Sequence, residues 1–221
     1  LNADLDVNNN LTLSNFSTLD TKSGSNYSIN VGGSWDKDSG STFTARSGTV
    51  TMDGTSGTKT ITSGTGAFYN LTLNDGGGTA TFELQNALDV DNNLTITGGT
   101  LDTKSGTNAS INVGGNWANS DTFTARSGTV TMDGTSGTKT ITSGTGGFYN
   151  LTLNDGGGTA TFELQNALDV DNTLTITGGT LDTKLNSNYG INVGGNWSNS
   201  DIFTARSGTV TMDGTSGTKT I

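Results

Sequence analysis

Residues 70–103 read NLTLNDGGGTATFELQNALDVDNNLTITGGTLDT, and the fold is decided in this stretch. Apolar residues fall on every second position of short runs: Leu71/Leu73, Phe82/Leu84, Leu88/Val90 and Leu94/Ile96. Their neighbours Thr72, Thr81, Glu83, Asp89 and Thr95 are polar, which is the period of a strand with one buried face. The runs are separated by DGGG at 75–78 and GG at 98–99, where glycine supplies the positive φ of tight corners. No cap followed by a 3.6-period apolar stripe occurs, and the chain has no proline to remove a ladder donor.

The same pattern continues outward through SINV (110–113), TFTA (122–125), GTVTMD (128–133) and TKTI (138–141). It then starts again. Residues 62–141 and 142–221 match at 71 of 80 positions, and residues 1–61 are a diverged copy of the last three-quarters of the unit. The phrase FTARSGTVTMDGTSGTKTI begins at Phe43, Phe123 and Phe203. Within the unit, strands centred on Leu71–Leu73, Leu94–Ile96, Ile111–Val113, Val130–Met132 and Leu151–Leu153 are spaced by 23, 17, 19 and 21 in the numbering. Their mean predicts coils of about 20 residues, four to each repeat, in an all-β parallel solenoid. One continuous solenoid over residues 1–221 would hold about eleven coils and measure roughly 50 Å at the strand spacing. Tandem β-sandwich (Ig-like) domains are the alternative. They give no reason for a sub-period of about 20, and the first copy starts partway through the unit.

Composition narrows the function classes. Hydrophobic residues make up 29% of the chain, too few for a thick globular core, and charged residues only 14%. The net charge of −10 and ten singly scattered basic residues argue against a nucleic-acid partner. There is no cysteine or histidine, so thiol chemistry and imidazole catalysis are absent. No apolar run approaches the ~18 residues of a membrane span. The chain begins at Leu1 and stops at Ile221, where earlier copies run on, so a longer parent is expected.

Several features could carry chemistry. Asp89 and Asp91, repeated as Asp169 and Asp171, project from one strand face beside Asn residues and form an oxygen-rich pair of the kind that can hold Ca²⁺. As an outward strand edge they need no ligand, and the first copy has Asp6 and Asn8 there. No acid pair is distinctive enough for a glycosidase, because every Asp recurs with the repeat. Threonine pairs such as Thr95/Thr97 suggest an ice-binding grid, but Asn70/Thr72 and Asn112/Gly114 break it. Trp117 and Trp197 follow a Gly-Gly corner and could stack on a sugar ring or pack over the corner. Asn70, Asn93, Asn108, Asn150 and Asn196 stand in Asn-x-Ser/Thr triplets. Substitutions between the full copies concentrate where SGTNAS (105–110) becomes LNSNYG (185–190), as in an exposed loop.

The phrases VGGNW, GTVTMDG and FYNLTLN, covering the whole chain in order, resemble repeats of large bacterial or archaeal surface proteins. They are similar in style to filamentous-haemagglutinin and autotransporter β-helices. The resemblance implies a right-handed parallel β-helix, secretion, and a role as stalk, adhesin or filament; it carries over no catalytic residue and no cofactor. The expected protein is therefore not an enzyme but an extracellular, cell-surface structural segment. It would continue into further repeats or self-associate end to end. The alternative is an adhesin contacting glycans or a partner through its loops and tryptophans.

Overall fold

The computed structural model describes residues 1–221 as an all-β parallel solenoid without helices. Every strand pairing is parallel. The winding fits the right-handed sense that parallel crossovers adopt almost always. Each turn has three faces. The first face is a single ten-stranded sheet that runs from Leu5–Val7 through Asn70–Leu73 and Trp117–Asn119 to Ile202–Thr204. The second face starts as a six-stranded sheet from Leu11–Leu13 to Thr122–Thr124. It continues through the bridge Thr122–Thr145 and the pairing of Phe148 with Val170 to Ile191–Val193 and Val210–Met212. The third face opens with Thr18–Asp20 on Thr42–Thr44 and includes Leu88–Val90, Ile111–Val113, Thr129–Met132 and Trp197–Asn199.

The turn is longer than the spacing of similar strands suggests. Along the first face Leu5 pairs with Ile29, then Val50, Leu71, Leu94, Trp117, Ile141 and Leu164 in succession, steps in the numbering of 24, 21, 21, 23, 23, 24 and 23. Phe162 then pairs with Leu181 and Leu181 with Phe203, steps of 19 and 22. The ten strands mark nine turns of about 22 residues, or about 43 Å at ~4.8 Å per turn. The expected shorter coil fails at one step. Leu94 lies on the first face and Ile111 on the third, so the segment between them covers two faces rather than a whole turn.

It follows that the repeat is not four coils. Phe43 lies on the third face, Phe123 on the second and Phe203 on the first. Each repeat thus falls one face short of four turns, and successive copies are rotated by a third of a revolution about the axis.

Inside the tube, 42 buried residues form one core cluster. The alternation read from the sequence is observed directly, since Leu71, Leu73, Leu94 and Ile96 are buried and Thr72 and Thr95 face outward. Packed aromatic groups widen the core at intervals. Trp117 lies 4.9 Å from Phe123 and 5.1 Å from Phe148, centroid to centroid, and Trp35 repeats this with Phe43 and Phe68 at 4.9 and 5.0 Å. Lys37 is the unexpected interior residue, only 1% exposed. Its ammonium donates to the carbonyls of Thr65 at 2.6 Å and Asp38 at 3.2 Å. In the next copy the same place holds Asn119, whose Nδ2 donates to the Ser143 carbonyl at 2.9 Å.

Corners are where sequence constrains the backbone most. In the Asp155–Gly158 turn, Asp155 Oδ1 accepts from Gly157 N at 3.0 Å and Oδ2 from Ala160 N at 3.1 Å. Gly157 has φ +83° with open space around it, whereas a Cβ on Gly158 would lie 1.9 Å from the Thr135 carbonyl of the turn below. Gly157→Ala should therefore cost only about 1 kcal/mol of backbone strain. Gly158→Ala must push two turns apart and should cost roughly 3 kcal/mol or more. Denaturant unfolding of the two variants checks the ordering. By the same measurement Lys37→Asn should not lower stability, because it installs the neutral solution already used at Asn119 and removes a buried charge.

Candidate functional site

The two tryptophans with a choice between sugar contact and core do not face solvent. Trp117 is 0% exposed and Trp197 8%. Both are first residues of strands, Trp117–Asn119 and Trp197–Asn199, whose alternation turns the ring inward. Trp117 stands in the same column as Leu94 and Ile141. Burial leaves Trp117 no free ring face for a glycan, whereas Trp197, packed on Phe203, lines the open apolar end of the tube with Val210, Met212 and Ile221.

The Asp pairs sit in a more informative place. Asp89 and Asp91 line an open notch with Gly114, Asp133 and Lys139. In the next copy Asp169 and Asp171 do the same with Gly194, Asp213 and Lys219. A reduced version in the first copy holds Asp6, Asn8 and Asp53. The notch crosses three turns at one corner, and its middle must be glycine. A Cβ on Gly114 would lie 2.3 Å from the Asp91 carbonyl, and one on Gly194 would lie 2.2 Å from that of Asp171. Since each repeat rotates by one face, the three notches occupy three different corners of the prism.

No hydrophobic residue lines either full notch. Burial raises the pKa of Asp89 above the ordinary 3.8, and the charges of Asp91 and Asp133 add to this. Asp133 is raised by burial and then by Asp91. Asp169 is raised by burial, then by Asp171 and Asp213. The carboxylates share one electrostatic environment, yet no three of them close to metal-ligating distance. The pairs considered for Ca²⁺, Asp89 with Asp91 and Asp169 with Asp171, line these acidic grooves. Asp133 and Asp213 escape a reading of the sequence because they lie two turns downstream of their partners. They become visible only once the length of a turn is known.

A second cluster recurs on the neighbouring corner. Asp102 accepts from Arg126 Nε at 2.9 Å and Nη2 at 2.6 Å, and Asp182 from Arg206 at 3.0 and 2.6 Å. Asp20 and Arg46 repeat the pair at 3.0 and 2.7 Å. Each pair joins one turn to the next through a bidentate clamp. The hydrogen bonds from Arg126 hold the Asp102 carboxyl below 3.8, those from Arg206 do the same for Asp182, and Arg46 brings Asp20 to about 2. Beside this clamp, Lys104 Nζ donates to Gln85 Oε1, and Gln85 Nε2 donates to Glu83 Oε1 at 2.8 Å.

The chain matches no protein-family model, no curated protein and no solved structure.

The two kinds of Asp make opposite contributions to acid stability. Asp89, Asp133 and Asp169 bind protons more tightly folded than unfolded, so stability should rise as pH falls from neutral toward 3.8. Asp20, Asp102 and Asp182 bind protons less tightly folded, so stability should be lost as pH falls below 3.8. Unfolding midpoints should therefore peak near the ordinary carboxylate pKa rather than at neutrality. Asp89→Asn should flatten the rising limb and raise the neutral-pH midpoint. Asp102→Asn should lower the neutral-pH stability by about 1–2 kcal/mol and weaken the acid limb.

Proposed function

We propose that the chain is a rigid structural segment of an extracellular cell-surface stalk or self-assembling fibre. The observation behind this reading is the uninterrupted ten-stranded parallel sheet along the whole length, with a single core cluster beneath it. Such a ladder transmits position from one end to the other without a hinge. The Asp–Arg clamps reinforce it, linking neighbouring turns once in every copy. The one-face offset between copies supports the same reading, since it distributes the acidic notches around the rod and leaves no side with a single-sign stripe. The backbone edges of Leu5–Val7 and Ile202–Thr204 are unpaired on their outer sides and suit either further turns or a second copy.

Adhesion is the second reading, and one observation favours it. The corner at 185–190 differs between the full copies and projects Leu185, 63% exposed, with Asn186 and Asn188 held at φ +67° and +54°. Exposed, variable and locally rigid segments suit a recognition surface.

Immunogold electron microscopy of cells producing the full protein, with an antibody raised to this chain, tests the stalk. The label is expected outside the envelope and displaced from it. Label confined to the cell interior would overturn the reading. For the purified chain, small-angle scattering should give a rod about 43 Å long at low concentration. Concentrated samples should add a meridional diffraction spacing near ~4.8 Å.

A further inference from the structure

The triangle of Lys104, Gln85 and Glu83 has a chemistry that the stalk reading does not use. Lys104 Nζ donates to the carboxamide oxygen of Gln85, which lies one turn below. The amide nitrogen of Gln85 donates to Glu83 Oε1 at 2.8 Å, and the same carboxylate oxygen lies 3.8 Å from Lys104 Nζ. An amine, an amide carbonyl and a carboxylate that approaches both nitrogens are thus held together. The next repeat builds it again, with Lys184 donating to Gln165, Gln165 donating to Glu163 at 2.8 Å, and Lys184 3.8 Å from Glu163. The lysines and the carboxylates are partly sheltered rather than freely solvated.

The lysine is also placed by its backbone. Lys104 has φ +65° and Lys184 +70°, values a long unbranched side chain seldom adopts. The strain is held by the clamp, because Asp102 Oδ1 accepts from Lys104 N at 2.8 Å while both its oxygens are fixed by Arg126. A strained backbone pinned from one side and aiming a nucleophile at a carbonyl is a pre-organised arrangement.

We propose that Lys104 and Gln85, and likewise Lys184 and Gln165, form intramolecular isopeptide bonds that staple neighbouring turns, with Glu83 and Glu163 carrying the proton. The carboxylate takes a proton from the lysine ammonium. The freed Nζ lone pair attacks Cδ of the glutamine, and the carbonyl electrons move onto oxygen. The carboxylic acid returns its proton to Nε2, the Cδ–Nε2 bond breaks and the carbonyl re-forms; the carboxylate then relays the second Nζ proton to the departing ammonia, which leaves as ammonium. One C–N bond is made and one broken, and no oxidant or other reactant enters. Each bond would close the segment between Gln85 and Lys104, or between Gln165 and Lys184, into a covalent ring one turn around.

The first copy supplies an internal control. Lys22 has φ +70° and the same backbone bond to its Asp, yet its Nζ lies 5.8 Å from the centre of the Tyr27 ring and donates to no glutamine carboxamide. It is not expected to react.

Intact-mass measurement of the purified full chain tests the proposal whether or not the stalk reading stands. The expected mass is lower than that of the sequence by two molecules of ammonia. Tryptic mapping should recover Gln85 joined to an uncleaved Lys104, and Gln165 joined to Lys184. Lys104→Arg should restore one ammonia, Glu83→Gln should restore one while the circular dichroism stays that of the wild type, and Lys22→Arg should restore none. A folded wild-type chain that keeps the full sequence mass after prolonged incubation would overturn the proposal, and so would an unchanged ammonia loss in Lys104→Arg.

Discussion

An inward side chain in this molecule must sit on the inward side chain one strand spacing below it, and the rest of the structure depends on that packing constraint. A parallel turn cannot close its hydrogen bonds unless the preceding turn presents the same face at the same height. Columns such as Leu71, Leu94, Trp117 and Ile141 are the outcome. The corners absorb the variation in sequence. The step from Trp117 to Ile141 is longer in the chain than that from Phe162 to Leu181, yet the columns remain aligned. Glycines at 114 and 158 mark the corners where one turn's backbone presses on another, leaving no room for a side chain.

The constraint acts on turns and not on repeats, and this separates the history of the sequence from its geometry. Copies that match at 71 of 80 positions are still placed on different faces, since the repeat fills three and two-thirds turns. Equivalent charges such as Asp133 and Asp213 are then separated by about 18 Å along the axis as well as by a corner. That exceeds the screening length of ~8 Å, so duplication adds little repulsion between copies. Repulsion is felt inside each copy instead, where the notch brings Asp89, Asp91 and Asp133 within two turns of one another.

Whether a feature is legible in the sequence depends on whether it is local. Two-residue alternation and glycine corners are local, and they are enough for an all-β parallel solenoid. Turn length is not. Leu94-Thr-Ile96 and Ile111-Asn-Val113 are similar as strings but belong to different faces, and only the pairing register tells them apart. The tryptophans are ambiguous for the same reason. A ring after a Gly-Gly corner points in or out according to where the next strand begins, and here it begins on the tryptophan itself. The clamp between Asp102 and Arg126 is hidden because its members are one turn apart, at a distance the sequence alone does not fix.

Net charge counts all Asp residues alike, but three of their environments differ in kind. Asp155 is buried and organises a corner through backbone hydrogen bonds. Asp102 and Asp182 are neutralised by arginines from the next turn, which makes them part of the ladder. In the notches Asp89, Asp133 and Asp169, with their pKa raised by burial and by neighbouring carboxylates, hold charge that the fold does not use. A stabilising role would call for an opposite charge in contact, and none of them has an ion pair with the nearby Lys139 or Lys219. The two full notches therefore lower stability, and because each repeat turns by a third, they do so at different corners of the rod.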